Sequence, residues 1–308
     1  MIFLTYEQAK GIIDWNEAVE ALSLGHLRPR ADLHDVLMGP TNGMLLNRTA
    51  RIEGLGYGVK IESVFNQNSH QGLPNTHGAV LAYSAENGVL RGIIDSHLIT
   101  DIKTAADSVL GAKLLARSDS KHLVIIGAGR VAANLAQAYR ALFPQLERIS
   151  IWARQIEQAE KLAIQLNTMK LPAQAESDLP KTLATADIVS SATMAKQPVL
   201  LGKWIRSGTH VDLIGSFTPD MREADDELIS KAQLYVDNLE TTKNVGELII
   251  PITSGVISSK HVLGDLYDLV NAKQDKINEK QDITVFKNAG GAHFDLMIAD
   301  CILKKKGL

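Results

Sequence analysis

Apolar and polar positions change rhythm three times along the chain. In DWNEAVEALSLGHL the apolar residues recur at helical spacing, and Asp14-x-x-Glu17 supplies the capping pattern that opens such a helix. From MLLNRTARIEGLGYGVKIESVF to GAVLAYSAENGVLRGIID the apolar runs are short and alternating and are broken by glycine. This predicts antiparallel strands and hairpins, with ENG as one turn. A helix is then expected from Thr104 to about Arg117, with Thr104 as its N-cap and Asp107 three residues on. Lys103 immediately precedes that cap. A cation there opposes the helix macrodipole by roughly 0.3–1 kcal/mol at an exposed end. Either it is solvated or an anion belongs beside it.

From Lys121 onward strands and helices alternate. HLVIIGAG, RISIWAR, DIVSSAT, HVDLIG and QLYVDN read as strands, and RVAANLAQAYRAL, QIEQAEKLAIQL and READDELISKA as helices. This alternation predicts an α/β fold with a doubly wound, Rossmann-type parallel sheet. The tail, ITVFKNAGGAHFDLMIADCILKK, is expected outside that block, folding back on the first domain. The organisation expected is therefore a dinucleotide-binding domain over 119–283, inserted in an α+β domain built from 1–118 and 284–308.

Composition narrows the partners. The chain has 308 residues and a formal net charge of −3, so no global field draws it to nucleic acid or an anionic membrane. The only cysteine is Cys301, which excludes an internal disulfide and fits a reducing compartment. The N-terminal stretch has no signal-peptide pattern, and no apolar run approaches a membrane span. No His/Cys/Asp cluster has metal-ligand spacing, so no metal is expected. A cytoplasmic protein is the expectation.

The chemistry starts at VIIGAGRVAANLA, where Gly127-x-Gly129-x-x-Ala132 follows a strand and opens a helix. Gly127 permits the tight turn, Gly129 lets backbone approach a pyrophosphate, and Ala132 keeps helix and strand close. The next strand ends in Ala153-Arg154, where an NAD-preferring fold would carry a carboxylate. A guanidinium there pairs with a 2′-phosphate, so NADPH is preferred and NADH possible.

Several segments in order along the chain resemble the ornithine cyclodeaminase/mu-crystallin family: GLGYGVKIESVFNQNSHQGLPNTHGAVL, LITDIKTAADSVLGAKLLA, LVIIGAGRVA, DLIGSFTPDMREAD and ITVFKNAGGAHFDL. The resemblance implies a homodimer, an NAD(P)-binding domain and amino-acid or cyclic imino-acid substrates. Lys60 matches the active-site lysine and Asp295 a carboxylate close to the substrate pocket. Lys103 falls where many members carry an arginine that holds the substrate carboxylate. It keeps the charge but loses the bidentate fork. Asn75 falls on a substrate-contacting threonine. Arg130 and Val131 match glycine-loop cofactor contacts, Thr193 a loop after a strand, and Asn288 a serine beside the nicotinamide end. A further family arginine is either Arg30 or Arg48. His77 and His293 are tempting acids near the active-site segments, although a lone histidine there is as often structural.

One departure is more informative than the matches. The lyase members carry an aspartate where this chain has Phe217, and Asp220 lies three residues on. Phenylalanine neither ionises nor binds a catalytic water, so cyclodeamination of ornithine is disfavoured. The expected activity is NAD(P)H-dependent reduction of Δ1-pyrroline-2-carboxylate to L-proline, with the six-membered Δ1-piperideine-2-carboxylate as a further substrate. An ornithine cyclodeaminase (lyase), an amino-acid dehydrogenase and a non-catalytic NADP-dependent binding protein are the other readings open at this point.

Overall fold

The computed structural model describes residues 2–40, 42–272 and 282–308. The chain divides into two compact units, one built from the residues up to Lys103 with Gly291–Leu308, the other from Thr104–Gly290.

The first unit is a six-stranded sheet. Its strands are β1 (Ile2–Leu4), β2 (Asp32–Met38), β3 (Met44–Ile52), β4 (Gly56–Val64), β5 (Thr76–Tyr83) and β6 (Leu90–Asp95), in the order β1-β6-β5-β4-β3-β2. All neighbours are antiparallel except β1 and β6. Side chains alternate between faces, as the short alternating runs require. One face carries Arg48, Lys60, Val80 and Ile94 in register across four strands. The C-terminal helix, Ala292–Lys305, covers it, and Gly58 makes room: a Cβ there would lie 2.8 Å from the Leu296 Cβ. The helix Trp15–His26 begins as the sequence predicts, with Asp14 and Glu17 forming a reciprocal capping box. The opposite sheet face carries Phe3, Val36, Met38, Leu45 and Ile61, all exposed.

The second unit is an all-parallel sheet of β7 (His122–Ile126), β8 (Arg148–Trp152), β9 (Ala173–Ala175), β10 (Ile188–Ser191), β11 (His210–Leu213), β12 (Gln233–Val236) and β13 (Thr284–Lys287). The order β12-β13-β11-β10-β7-β8-β9 is doubly wound, and its direction reverses between β7 and β10. Strands buried on both faces read as continuous apolar runs, as in LVII of β7. Among the described residues no helix is long and apolar enough to cross a membrane.

Three expectations need correction. The tail segment TVFK is not outside the alternating block. It is β13, wholly buried and paired in parallel with both β11 and β12. The unit boundaries accordingly fall at 103/104 and 290/291 rather than 118/119 and 283/284. The helix expected from Thr104 instead runs over Ser96–Leu115, so Lys103 is in its interior and buried. Asp95 accepts the His97 N–H at 2.8 Å and serves as the cap, and the apolar stripe through Leu98, Ile99, Ala105 and Ala106 overrides the local preference of Thr104. The macrodipole therefore does not explain Lys103.

Candidate active site

In the first unit a strand and a helix bring opposite charges together in a dry place. Lys60 on β4 is 6% exposed, yet its Nζ donates to Thr100 Oγ1 at 2.6 Å and lies 3.4 Å from Glu62 Oε2 and 3.6 Å from Asp295 Oδ1. Glu62 reaches it because residues two apart on a strand share a face. Asp295 reaches it from the first turn of the C-terminal helix and is 2% exposed. Charges leave water only when paired, so this cluster is organised around its ammonium.

A second cation stands on the same face. Arg48 stands directly across from Lys60 in the β3–β4 register, and its Nε donates to Asp35 Oδ2 at 2.8 Å. Burial, then the ring of His26, then the charges of Lys103 and Arg48 hold the His293 pKa well below the usual histidine value. His293 is fully buried, its ring tilted by 41° against that of Phe294 with the centroids 4.1 Å apart. Arg48, Lys60 and Glu62 thus share one sheet face with Asp295 against it, and Lys103 is near enough for its charge to act on His293. Of the two candidate arginines, Arg48 belongs to this face. Arg30 is exposed ahead of β2. His77 is exposed and, by alternation, on the other face from Lys60, with its ring 6.4 Å from that of His97. Asn75 is exposed just before β5, where its backbone oxygen accepts the Phe65 N–H.

The second unit carries the glycine loop. Gly127 has φ +119°, a conformation that favours glycine, and a Cβ there would lie 2.6 Å from the Ala192 carbonyl oxygen. Its N–H donates to Trp152 O at 2.8 Å, tying the loop to the end of β8, two residues before the exposed Arg154. Gly129 is the N-cap of the helix Arg130–Leu142, with nothing within 4 Å of where its Cβ would be. Arg130 is exposed and Val131 half-buried at that terminus. An open helix N-terminus at the point where the strand order reverses fits a dinucleotide pyrophosphate. Asn288 is 2% exposed, and its side-chain nitrogen donates to Thr104 O at 3.1 Å and Ser108 Oγ at 3.0 Å, so that nitrogen is engaged within this unit.

Residues that the sequence reading missed complete both places. Glu62 and Thr100 hold Lys60; the KIE spacing signals the first, while nothing local signals the second. In the second unit Glu223, Glu247, Asp212, Asp237 and Lys287 are all fully buried. Thr193 of the predicted cofactor set bonds to Glu223 through both its N–H (2.8 Å) and its Oγ1 (2.7 Å). Phe217 is 59% exposed, and Asp220 beside it is tied to Lys196 at 2.7 Å and to Thr218 at 2.6 Å. The Lys196 contact, then Thr218, holds its pKa down to about 2, which suits an ionised surface residue and not a proton carrier.

Comparison with known proteins gives a consistent result. The profile of the ornithine cyclodeaminase/mu-crystallin family matches residues 39–306. A Δ1-pyrroline-2-carboxylate reductase of Paracoccus denitrificans is 54% identical over 303 residues, covering 98% of this chain and 96% of that one. The structure of Thermococcus litoralis Δ1-pyrroline-2-carboxylate reductase in complex with NADH and L-proline superposes with a TM-score of 0.91 at 28% identity, covering 99% of this chain and 97% of that one. An archaeal alanine dehydrogenase dimer with bound NAD gives the same TM-score at 25% identity, with the same coverage.

Proposed function

Because the chain belongs to the ornithine cyclodeaminase/mu-crystallin family, we propose that it reduces a small cyclic imino acid with a nicotinamide dinucleotide, Δ1-pyrroline-2-carboxylate giving L-proline. The buried cluster at Lys60 carries this reading. It offers two cations, Arg48 and Lys103, to a carboxylate and the held ammonium of Lys60 to the neighbouring ring nitrogen. The relative of 54% identity, itself a Δ1-pyrroline-2-carboxylate reductase, supports the five-membered ring. The six-membered analogue differs by one methylene, which a pocket discriminates only about 10–200-fold.

Arg48 and Lys103 bind the substrate carboxylate and fix the ring. Lys60, held by Thr100, Glu62 and Asp295, delivers a proton to the ring nitrogen directly or through one water. When bound, the reduced nicotinamide supplies the hydride that the C=N carbon accepts. Gly127, Gly129, Arg130 and Val131 hold the dinucleotide at the helix N-terminus. The exposed Arg154 supports NADPH over NADH. The exposed Phe3, Val36, Met38, Leu45 and Ile61 on the uncovered sheet face support a homodimer, since grouped exposed apolar side chains mark association surfaces. A lone cysteine and this redox chemistry fit the cytoplasm.

The test is loss of reduced-nicotinamide absorbance with a panel of substrates. Turnover is expected with the five- and six-membered cyclic imines and not with pyruvate plus ammonia. Ammonia release from L-ornithine, or faster turnover of a 2-oxo acid with ammonia, would overturn the assignment.

A further inference from the structure

The crevice at the β7/β10 reversal has two walls, the glycine loop and the loop after β10, and these touch where Gly127 meets the Ala192 carbonyl. The second wall is pinned by one carboxylate from outside the sheet. Glu223 Oε1 accepts from Ser191 Oγ at 2.6 Å, Thr193 N at 2.8 Å and Thr193 Oγ1 at 2.7 Å, while its Oε2 accepts from Gly215 N at 2.6 Å. One side chain thus ties the loops that follow β10 and β11.

Glu223 is itself locked from behind. Its backbone N–H and that of Ala224 donate to the two oxygens of Glu247, at 2.8 and 2.9 Å, and the Ser216 hydroxyl accepts the Glu247 N–H at 3.1 Å. Lys287, fully buried on β13, donates to Leu213 O at 3.0 Å and Asn288 O at 2.8 Å, and its charge offsets those of Glu223 and Glu247. Buried charges are costly unless they are paired and hydrogen-bonded. Here the carboxylate is spent on loop geometry: four donors on three residues at the mouth of the sheet.

We infer that Glu223 is a positioning residue for dinucleotide binding, setting the Ala192–Thr193 wall and through it the approach to Gly127. It touches no substrate and acts through Thr193 and Gly215. The inference rests on the dinucleotide reading above. In Glu223→Gln the amide oxygen keeps the Ser191 and Thr193 donors, while its NH2 faces the Gly215 N–H, donor against donor, so one loop loses its anchor.

The experiment is calorimetric titration of the purified protein with NADPH, alongside thermal unfolding and imine kinetics at saturating NADPH. For Glu223→Gln the Kd for NADPH is expected to rise about tenfold, the size of one lost charge-assisted bond. The imine KM of the folded protein should stay within about twofold. A purely structural role would lower the unfolding midpoint and leave the Kd unchanged, and that result overturns the inference. If Glu223→Gln does not fold, Ser191→Ala, which removes one of the four donors, takes its place. An increase in Kd of about threefold supports the inference, and an unchanged Kd overturns it. If the unaltered protein binds neither NADPH nor NADH, it is the dinucleotide reading that fails.

Discussion

Removing Lys60 and Asp295 singly and together separates what the cluster does for the fold from what it does for the reaction. At 3.6 Å and an effective dielectric of about 20, the pair attracts by about 4–5 kcal/mol. Much of that is offset by taking both groups out of water, and Glu62 at 3.4 Å shares the same ammonium. Lys60→Met leaves two buried carboxylates without their cation, a loss of roughly 3–5 kcal/mol. Asp295→Asn costs less, because Glu62 remains. The double variant should be more stable than the sum of the single losses by about 2 kcal/mol, measured by urea unfolding near neutral pH. Imine reduction should not recover with it. All three variants are expected to lose at least about a hundredfold in kcat/KM, or about 2.7 kcal/mol of transition-state stabilisation. Stabilities additive to within about 0.5 kcal/mol would refute the ion pair. Activity returning in the double variant would refute a role for Lys60 in the chemistry.

Two other outcomes follow from the second unit. Arg154→Ala should weaken NADPH by about one to two decades while leaving NADH nearly unchanged, read from paired titrations; an unchanged ratio rules out a 2′-phosphate contact. Burial pushes the Asp212 carboxyl up to about 7, against hydrogen bonds from Ser190, Ser108 and Tyr139. Between about pH 4 and pH 7 the unfolded chain has released this proton while the folded chain keeps it, so stability falls as pH rises through that window. Asp212→Asn cannot titrate, and its stability relative to the unaltered protein should climb by about 1 kcal/mol per pH unit there and level off above about pH 8. A pH-independent difference would show that Asp212 is ionised throughout.

Legibility in the sequence followed the range of the interactions. The alternating strands, the Asp14 cap and the glycine loop announce themselves because each depends on neighbours a few residues away. The helix over Ser96–Leu115 did not, because the local appeal of Thr104 as a cap lost to a longer apolar stripe and to Asp95. Lys60, Lys103 and Asp295 came from family resemblance, and it took the β3–β4 register to set Arg48 across from Lys60. Glu223 was invisible for a different reason. In READDELISK a run of charges reads as a solvated helix, whereas the helix starts only at Asp226 and Glu223 lies ahead of it, buried. Its partners, Ser191, Thr193 and Gly215, are eight to 32 positions away.

The place of β13 has a consequence for how the chain is made. Residues 284–287 fill the gap between β11 and β12, so β12 has no strand to lie against until they emerge from the ribosome. The helix that follows is the lid on the Lys60 face of the other sheet. Both units therefore wait on the same late segment, and the usual order in which the earlier-synthesised domain folds first cannot run to completion here. Until that segment emerges, β11 and β12 lack their shared neighbour, and the Lys60 face of the other sheet lacks its cover. This makes a fragment ending before Thr284 a poor route to either unit alone.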